Sequence, residues 1–247
     1  MMKKLWKEIE IKRLRYDAWA HRLLRMILNK QFRDFASTID ENNYNSDTIF
    51  NTITEEPLKQ GLKKIYSKVG AEFARDSYNR LKPQKAEYSF EDEFNDYIER
   101  EAGSRITSMT AETKRQAEKI LRNTLTETTE MGLDATETAR QIRKELEKRG
   151  IMINQWRALR IARTEVMTAS NEGAFVGAKS AGATKKYWIP TYDSRTRDTH
   201  LIIEQQNPKL MDEAFLVGNY LMQKPGDPAG GAEEVINCRC AITFSIF

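Results

Sequence analysis

Apolar residues recur at helical spacing through most of residues 1–182, and beyond Gly182 that spacing gives way to short alternating runs. Such a chain buries its apolar stripes by packing helix on helix, with a smaller strand-containing part after them. The expected fold class is α+β, a mostly α-helical N-terminal part followed by a small mixed α/β C-terminal domain. The 247 residues suffice for one or two domains and a sizeable core.

The first helix should run from about Lys3 to Phe35, with Ile9, Tyr16 and Leu23 seven apart and Leu5, Trp19 and Met26 on adjoining positions. Residues 40–55 are polar and read as a loop. Pro57 suits the first turn of a second helix that carries Leu58, Leu62, Ile65, Val69 and Phe73 and stops near Lys82-Pro83. A weaker helix is expected from Phe90 to Glu101. Ile106, Met109, Thr113, Ala117, Ile120, Thr124, Thr128 and Met131 trace one face of a long helix that Gly132 can terminate. Asp134 or Thr136 can cap the next, expected to end at Gly150, and a further helix should run from about Gln155 to Ser180 and close at Gly182. KKYWIPTY and CAITFSIF read as strands, Lys209 to Lys224 as mixed, and KPGDPAGG as a turn. The character changes between residues 130 and 155, so the chain divides into a helical region 1–130 and a domain 131–247.

Residues 1–33 hold ten Lys and Arg against Glu8, Glu10 and Asp17, net +7, and the remainder is net −3. That skew points to an acidic partner, nucleic acid or an acidic protein surface, against the plainer reading of a solvated helix face. Ile9, Tyr16, Trp19, Leu23 and Met26 are the candidate partner-binding residues, because a pure DNA arm has no need of large apolar groups at helical spacing. Trp6, Trp156 and Trp188 read as core or interface anchors. No stretch approaches the ~20 apolar residues of a membrane span, and the basic N-terminus lacks the apolar core of a signal peptide, so the chain is expected to be intracellular when made. Two cysteines one residue apart, Cys238 and Cys240, give no disulfide framework.

The most specific residues come late. In order they are Arg163-Thr164-Glu165, Asn171, Gly173, Lys186, Trp188, Asp193-Ser194-Arg195-Thr196-Arg197, His200, Phe215, Pro225-Gly226-Asp227-Pro228 and Ile236-Asn237-Cys238-Arg239-Cys240. This series, with GLDATETARQIRKEL before it, resembles the phage Mu F-like minor head, or head morphogenesis, family over about residues 130–242. The resemblance implies a non-enzymatic virion protein in few copies at or near the portal, aiding head assembly and in some members contacting or leaving with the packaged DNA. It makes residues 131–247 a Mu F-like domain. The implied partners are the portal protein, with packaged DNA and coat or scaffold protein as further candidates, and no membrane; the implied location is the head interior or portal. Many relatives carry a Cys-x-x-Cys pair after the aspartate. This chain has Arg195, Arg197 and His200 there, which argues against a four-cysteine metal site.

Without the family, Cys238, Cys240 and His200 are borderline-soft groups of the kind zinc takes in a tetrahedral shell, and Asp193 could supply a fourth. Structural zinc sites more often use Cys-x2-4-Cys, and the competing reading is two small buried thiols beside a turn. The cofactor expectation is none, with zinc as the alternative. Asp193, Arg195, Arg197, His200 and Asn237 equally suit a polar network that pins the loop after one strand to the turn before the last. Glu165 and Glu172, seven apart, share a helix face and suit ion pairs. The alternative function is a metal-dependent hydrolase or nuclease using Asp193, His200 and the thiols, or a transferase using Arg163-Thr164-Glu165. Against it, the chain has no GxxxxGK[ST] or GxGxxG loop, no HExxH and only two histidines, and no catalytic residue is assigned.

Overall fold

A computed structural model describes residues 2–82 and 90–247. The first helix, α1 (Met2–Ser37), is the expected one, and its buried positions are Arg13, Ala20, Leu24, Leu28, Gln31, Phe32, Phe35 and Ala36. After a 3-10 turn at Asp47–Thr52 come α2 (Glu56–Ile65), a π-helical turn at Tyr66–Gly70 and α3 (Ala71–Leu81). Together these fill the expected second helix. Lys82 caps α3, and the Pro83 of the expected stop lies outside the described residues. Next are α4 (Glu91–Glu101), α5 (Gly103–Glu130) and α6 (Ala135–Ser180).

Buried threonines on α5 look out of place in an apolar stripe until their hydroxyls are followed. Thr113, Thr124 and Thr128 each bond the carbonyl one turn back, at 2.9 Å, whereas the buried Thr110 hydroxyl makes no hydrogen bond among the described residues. Gly132 (φ +69°) ends the helix, with Leu133 N–H bonding Thr128 O at 3.1 Å, and Asp134 caps α6 by accepting from Glu137 N–H at 2.8 Å.

The expected break at Gly150 does not occur, and α6 runs unbroken for 46 residues. A lone glycine costs a helix only about 1 kcal/mol. At Gly150 the missing side chain leaves room for the Phe32 ring, whose Cδ1 lies 2.5 Å from where a Cβ would stand.

Beyond Gly182 (φ +80°) follow β1 (Lys185–Ile189), the single turn α7 (Asp198–Leu201), a 3-10 turn at Ile202–Gln206, β2 (Lys209–Leu210), β3 (Phe215–Val217), β4 (Tyr220–Met222), the single turn α8 (Ala232–Val235) and β5 (Ala241–Ser245). β1 is the centre of an antiparallel sheet in the order β2-β1-β5, with Trp188 opposite Ile242, and β3 pairs with β4 in a separate hairpin. The fold is α+β as expected. Among the described residues no helix is long and apolar enough to cross a membrane.

Contacts gather the chain into two units. Unit 1 comprises Met1–His21, Leu62–Ala102 and Arg160–Phe247; unit 2 comprises Arg22–Gly61 and Gly103–Leu159. The core of unit 2 is Phe32, Phe35, Ile39, Ile49, Ile53, Ile120, Leu121, Ile142 and Leu146 with small residues between them. Trp156 lies in unit 2 and is exposed. In unit 1 the strands and single turns close over Met167, Trp188, Ile203, Phe215, Val217, Met222, Val235, Cys238, Cys240 and Ile242. Here α6 meets α3 and the π-helical turn before it at backbone distance, because a Cβ on Gly173 or Gly177 would overlap the carbonyls of Gly70 and Ala74 respectively.

Candidate functional site

The INCRC segment is built residue by residue in unit 1. Asn237 takes a left-handed conformation (φ 56°), one that asparagine tolerates better than most side chains, and its N–H bonds Thr164 Oγ1 at 3.1 Å. The turn sends Cys238 inward, Arg239 outward and Cys240 inward again; both thiols are buried. Arg239 then forks onto Asp193, with Nη1–Oδ2 at 2.6 Å and Nη2–Oδ1 at 2.8 Å. That pairing holds the Asp193 carboxyl well below the ordinary carboxylate range.

His200, from α7, is 1% exposed and faces both sulfurs through one nitrogen: Nδ1 lies 3.3 Å from Cys240 Sγ and 3.5 Å from Cys238 Sγ. Its other nitrogen, Nε2, is 2.9 Å from Glu234 Oε2 on α8, which also accepts from Thr199 Oγ1 at 2.9 Å. An ionised carboxylate only accepts, so a neutral His200 carries its proton on Nε2 and turns the Nδ1 lone pair to the thiols. The indole of Trp188 meets the imidazole edge-on at 5.7 Å. Burial pushes the Cys240 thiol up, but the hydrogen bond donated by Cys238 works against it and Cys240 is held well below its ordinary value; Cys238, as the donor of that bond and itself buried, is raised.

The carbonyls on either side of the second cysteine are held from two helices. Arg13 of α1, 3% exposed, sends Nη1 to Arg239 O (3.2 Å) and Cys240 O (3.0 Å), Nη2 to Asn171 Oδ1 (2.7 Å) and Nε to Ser170 Oγ (2.7 Å). Asn171 Nδ2 also reaches Cys240 O, at 3.1 Å, and Trp6 Nε1 reaches Arg239 O, at 3.0 Å. Beside them lies a cleft of about 480 Å³ bordered by Arg13, Arg163, Arg195, Arg197 and Arg239, opposed by Glu10 and Asp17. Burial, then the charge of Glu10, raises the Asp17 carboxyl to about 6.

The structure thus brings His200, Cys238 and Cys240 together, their ligand atoms within 4.8 Å of one another, and places Asp193 with Arg239 instead of with the thiols. Arg195 reaches Asp193 at 3.5 Å, and Arg197 bonds Ile236 O at 2.7 Å. The loop after β1 is therefore tied to the turn before β5. On α6, Arg163 is exposed to the cleft, Thr164 holds Asn237, and buried Glu165 accepts from Tyr66 at 2.9 Å. Glu172 pairs with Lys224 at 2.9 Å. Of the candidate partner-binding residues, Tyr16 bonds Glu72, Trp19 lies under the Lys68 ammonium at 4.8 Å, Ile9 and Leu23 are half-buried, and Met26 is exposed.

Arg13 and Glu234 were not among the sequence candidates. Arg13 lies one heptad before Ala20 on the stripe continued by Leu24, a position that demands burial, and a charge there was the available signal.

A family model described as Phage Mu protein F like protein matches residues 119–243, half of the chain, and the match takes in His200, Glu234, Cys238 and Cys240. No curated protein and no solved structure matches.

Proposed function

The chain belongs to the phage Mu protein F-like family, and from that premise we propose that it is a minor protein of the phage head that works at or near the portal during head assembly. Proteins of this family are structural components of the head, which puts the chain in the virion. The observation that carries the reading is the match itself, because it spans the INCRC segment and Asn171, which holds the Cys240 carbonyl. The same residues weigh against the hydrolase alternative: His200, Cys238 and Cys240 are at most 3% exposed, and a nucleophile or metal used on a large substrate needs access.

A specific observation favours contact with DNA as well. The five arginines at the cleft, two of them donating to backbone carbonyls and two to Asp193, still leave Arg163 exposed at its mouth, and the N-terminal 33 residues add net +7. Arginine clusters of this kind bind phosphate.

Quantitative mass spectrometry of purified heads, with and without the gene, tests the role. A few copies per particle, copurification with the portal after head disruption, and a fall in filled heads on deletion are expected. Heads assembled and filled normally without the chain would overturn the proposal. For DNA, binding should weaken with salt at a slope of about −0.9 per neutralised phosphate, flattened by Arg163→Ala.

A further inference from the structure

We propose that His200 Nδ1, Cys238 Sγ and Cys240 Sγ hold a zinc ion, with a water beside Thr191 as the fourth ligand. Zinc at about 2.3 Å from sulfur and about 2.0–2.1 Å from nitrogen in a tetrahedral shell sets a nitrogen–sulfur separation of about 3.5 Å. The two separations in this structure are 3.3 and 3.5 Å.

Three further observations are independent of that spacing. Glu234 stands behind His200, 2.9 Å from Nε2, which is how histidine ligands are oriented and made more basic by a carboxylate behind them. Thr191 is 1% exposed, its hydroxyl makes no hydrogen bond within the described residues, and it borders the same small cleft, of about 10 Å³, as His200 and the two thiols. That is room for about one water. Finally, two thiolates cancel the charge of a divalent zinc, so the centre is neutral overall and can be buried without an uncompensated charge. Binding releases the protons that the thiols carry to solvent, and no electron changes hands. A disulfide between Cys238 and Cys240 would compete for the same sulfurs, but one intervening residue strains it.

The ion would join α7 to the turn before β5, segments separated by 37 residues from His200 to Asn237 and otherwise tied through Arg197 and Glu234. Its role is that of a staple in the part of unit 1 with the shortest elements.

The test uses the full chain, purified under reducing conditions. Elemental analysis should find about one zinc per chain. After a chelator has stripped the protein, Co²⁺ added alone should saturate at one equivalent with a thiolate-to-cobalt absorption band, and one equivalent of Zn²⁺ should abolish it. Cys240→Ser should lose that band. Because a ligand variant can also misfold, Glu234→Gln provides a second arm: it keeps all three ligands, so it should still take one zinc at saturation but compete with a chelating dye about 10- to 100-fold less well. A stripped chain with both thiols reduced that shows no thiolate band at micromolar Co²⁺ would overturn the proposal. So would a band that survives in Cys240→Ser, or a Cys238–Cys240 disulfide in the protein as isolated.

Discussion

Replacing Arg13 by alanine should be the most damaging single change outside the apolar core. The guanidinium donates four hydrogen bonds, to Ser170, Asn171, Arg239 O and Cys240 O, from a position that is 3% exposed. The acceptors do not suffer equally. Arg239 O keeps Trp6 and Cys240 O keeps Asn171, whereas Asn171 Oδ1 loses its donor while buried. One orphaned buried acceptor costs about 1–3 kcal/mol, and the cavity left by a large side chain adds to it, so a total of about 3–5 kcal/mol is expected. At 2–4 °C per kcal/mol for a chain of this size, Tm should fall by about 6–20 °C. Arg13→Lys should recover only part, since a single ammonium cannot span four acceptors set around a planar fork. Thermal unfolding of the full chain followed by circular dichroism reads the effect. A double-mutant cycle with Asn171→Ala should show that the two losses are not additive, because they share a bond. An Arg13→Ala protein within about 0.5 kcal/mol of wild type, or strict additivity with Asn171→Ala, would refute the view that α1 and α6 jointly hold the INCRC backbone.

Gly173→Ala and Gly177→Ala should each destabilise by about 1–3 kcal/mol, against the ~1 kcal/mol gain that alanine normally brings to a helix, because the new methyl meets the carbonyls of Gly70 and Ala74; unchanged urea midpoints would show that the two helices are free to separate. For Asp17 the folded-state pKa, about 6, is above the ordinary 3.8, so its contribution is fully present below about pH 4 and is lost as pH rises through 6. Asp17→Asn should therefore flatten the stability profile between pH 4 and 6 and leave the mutant the more stable at pH 7; identical profiles would remove the burial argument.

How far these features could be read in advance varied with the kind of physics involved. The long helices were legible because an apolar stripe sustained for 30 residues has few alternatives, and Gly132, Asp134 and Gly182 act locally, through their own dihedrals or their own carboxylate. Gly150 was not, since whether a helix tolerates glycine there depends on Phe32, more than 100 residues away in the chain. The β3–β4 hairpin has three-residue strands, too short for any period to register. In the site, residue type pointed to His200, Cys238 and Cys240. The allegiance of Asp193 was open, as a carboxylate suits a metal and an arginine equally, and only the outward turn of Arg239 between the cysteines decides it. Glu234 sits in a single helical turn that reads as loop, and its meaning comes from a histidine 34 residues earlier.

The bonds from Arg13 to residues 239 and 240 set an order of events during synthesis. A chain emerging from the ribosome N-terminus first makes every residue of unit 2 available once Leu159 is out, whereas unit 1 lacks the acceptors of its buried guanidinium until Cys240 has been added. Contacts between residues 226 and 227 positions apart are among the slowest to close, and until they do the arginine stays hydrated. Translation that stalls after Leu159 but before Arg239 therefore leaves a chain with unit 2 complete in sequence and the N-terminal arginine still in water.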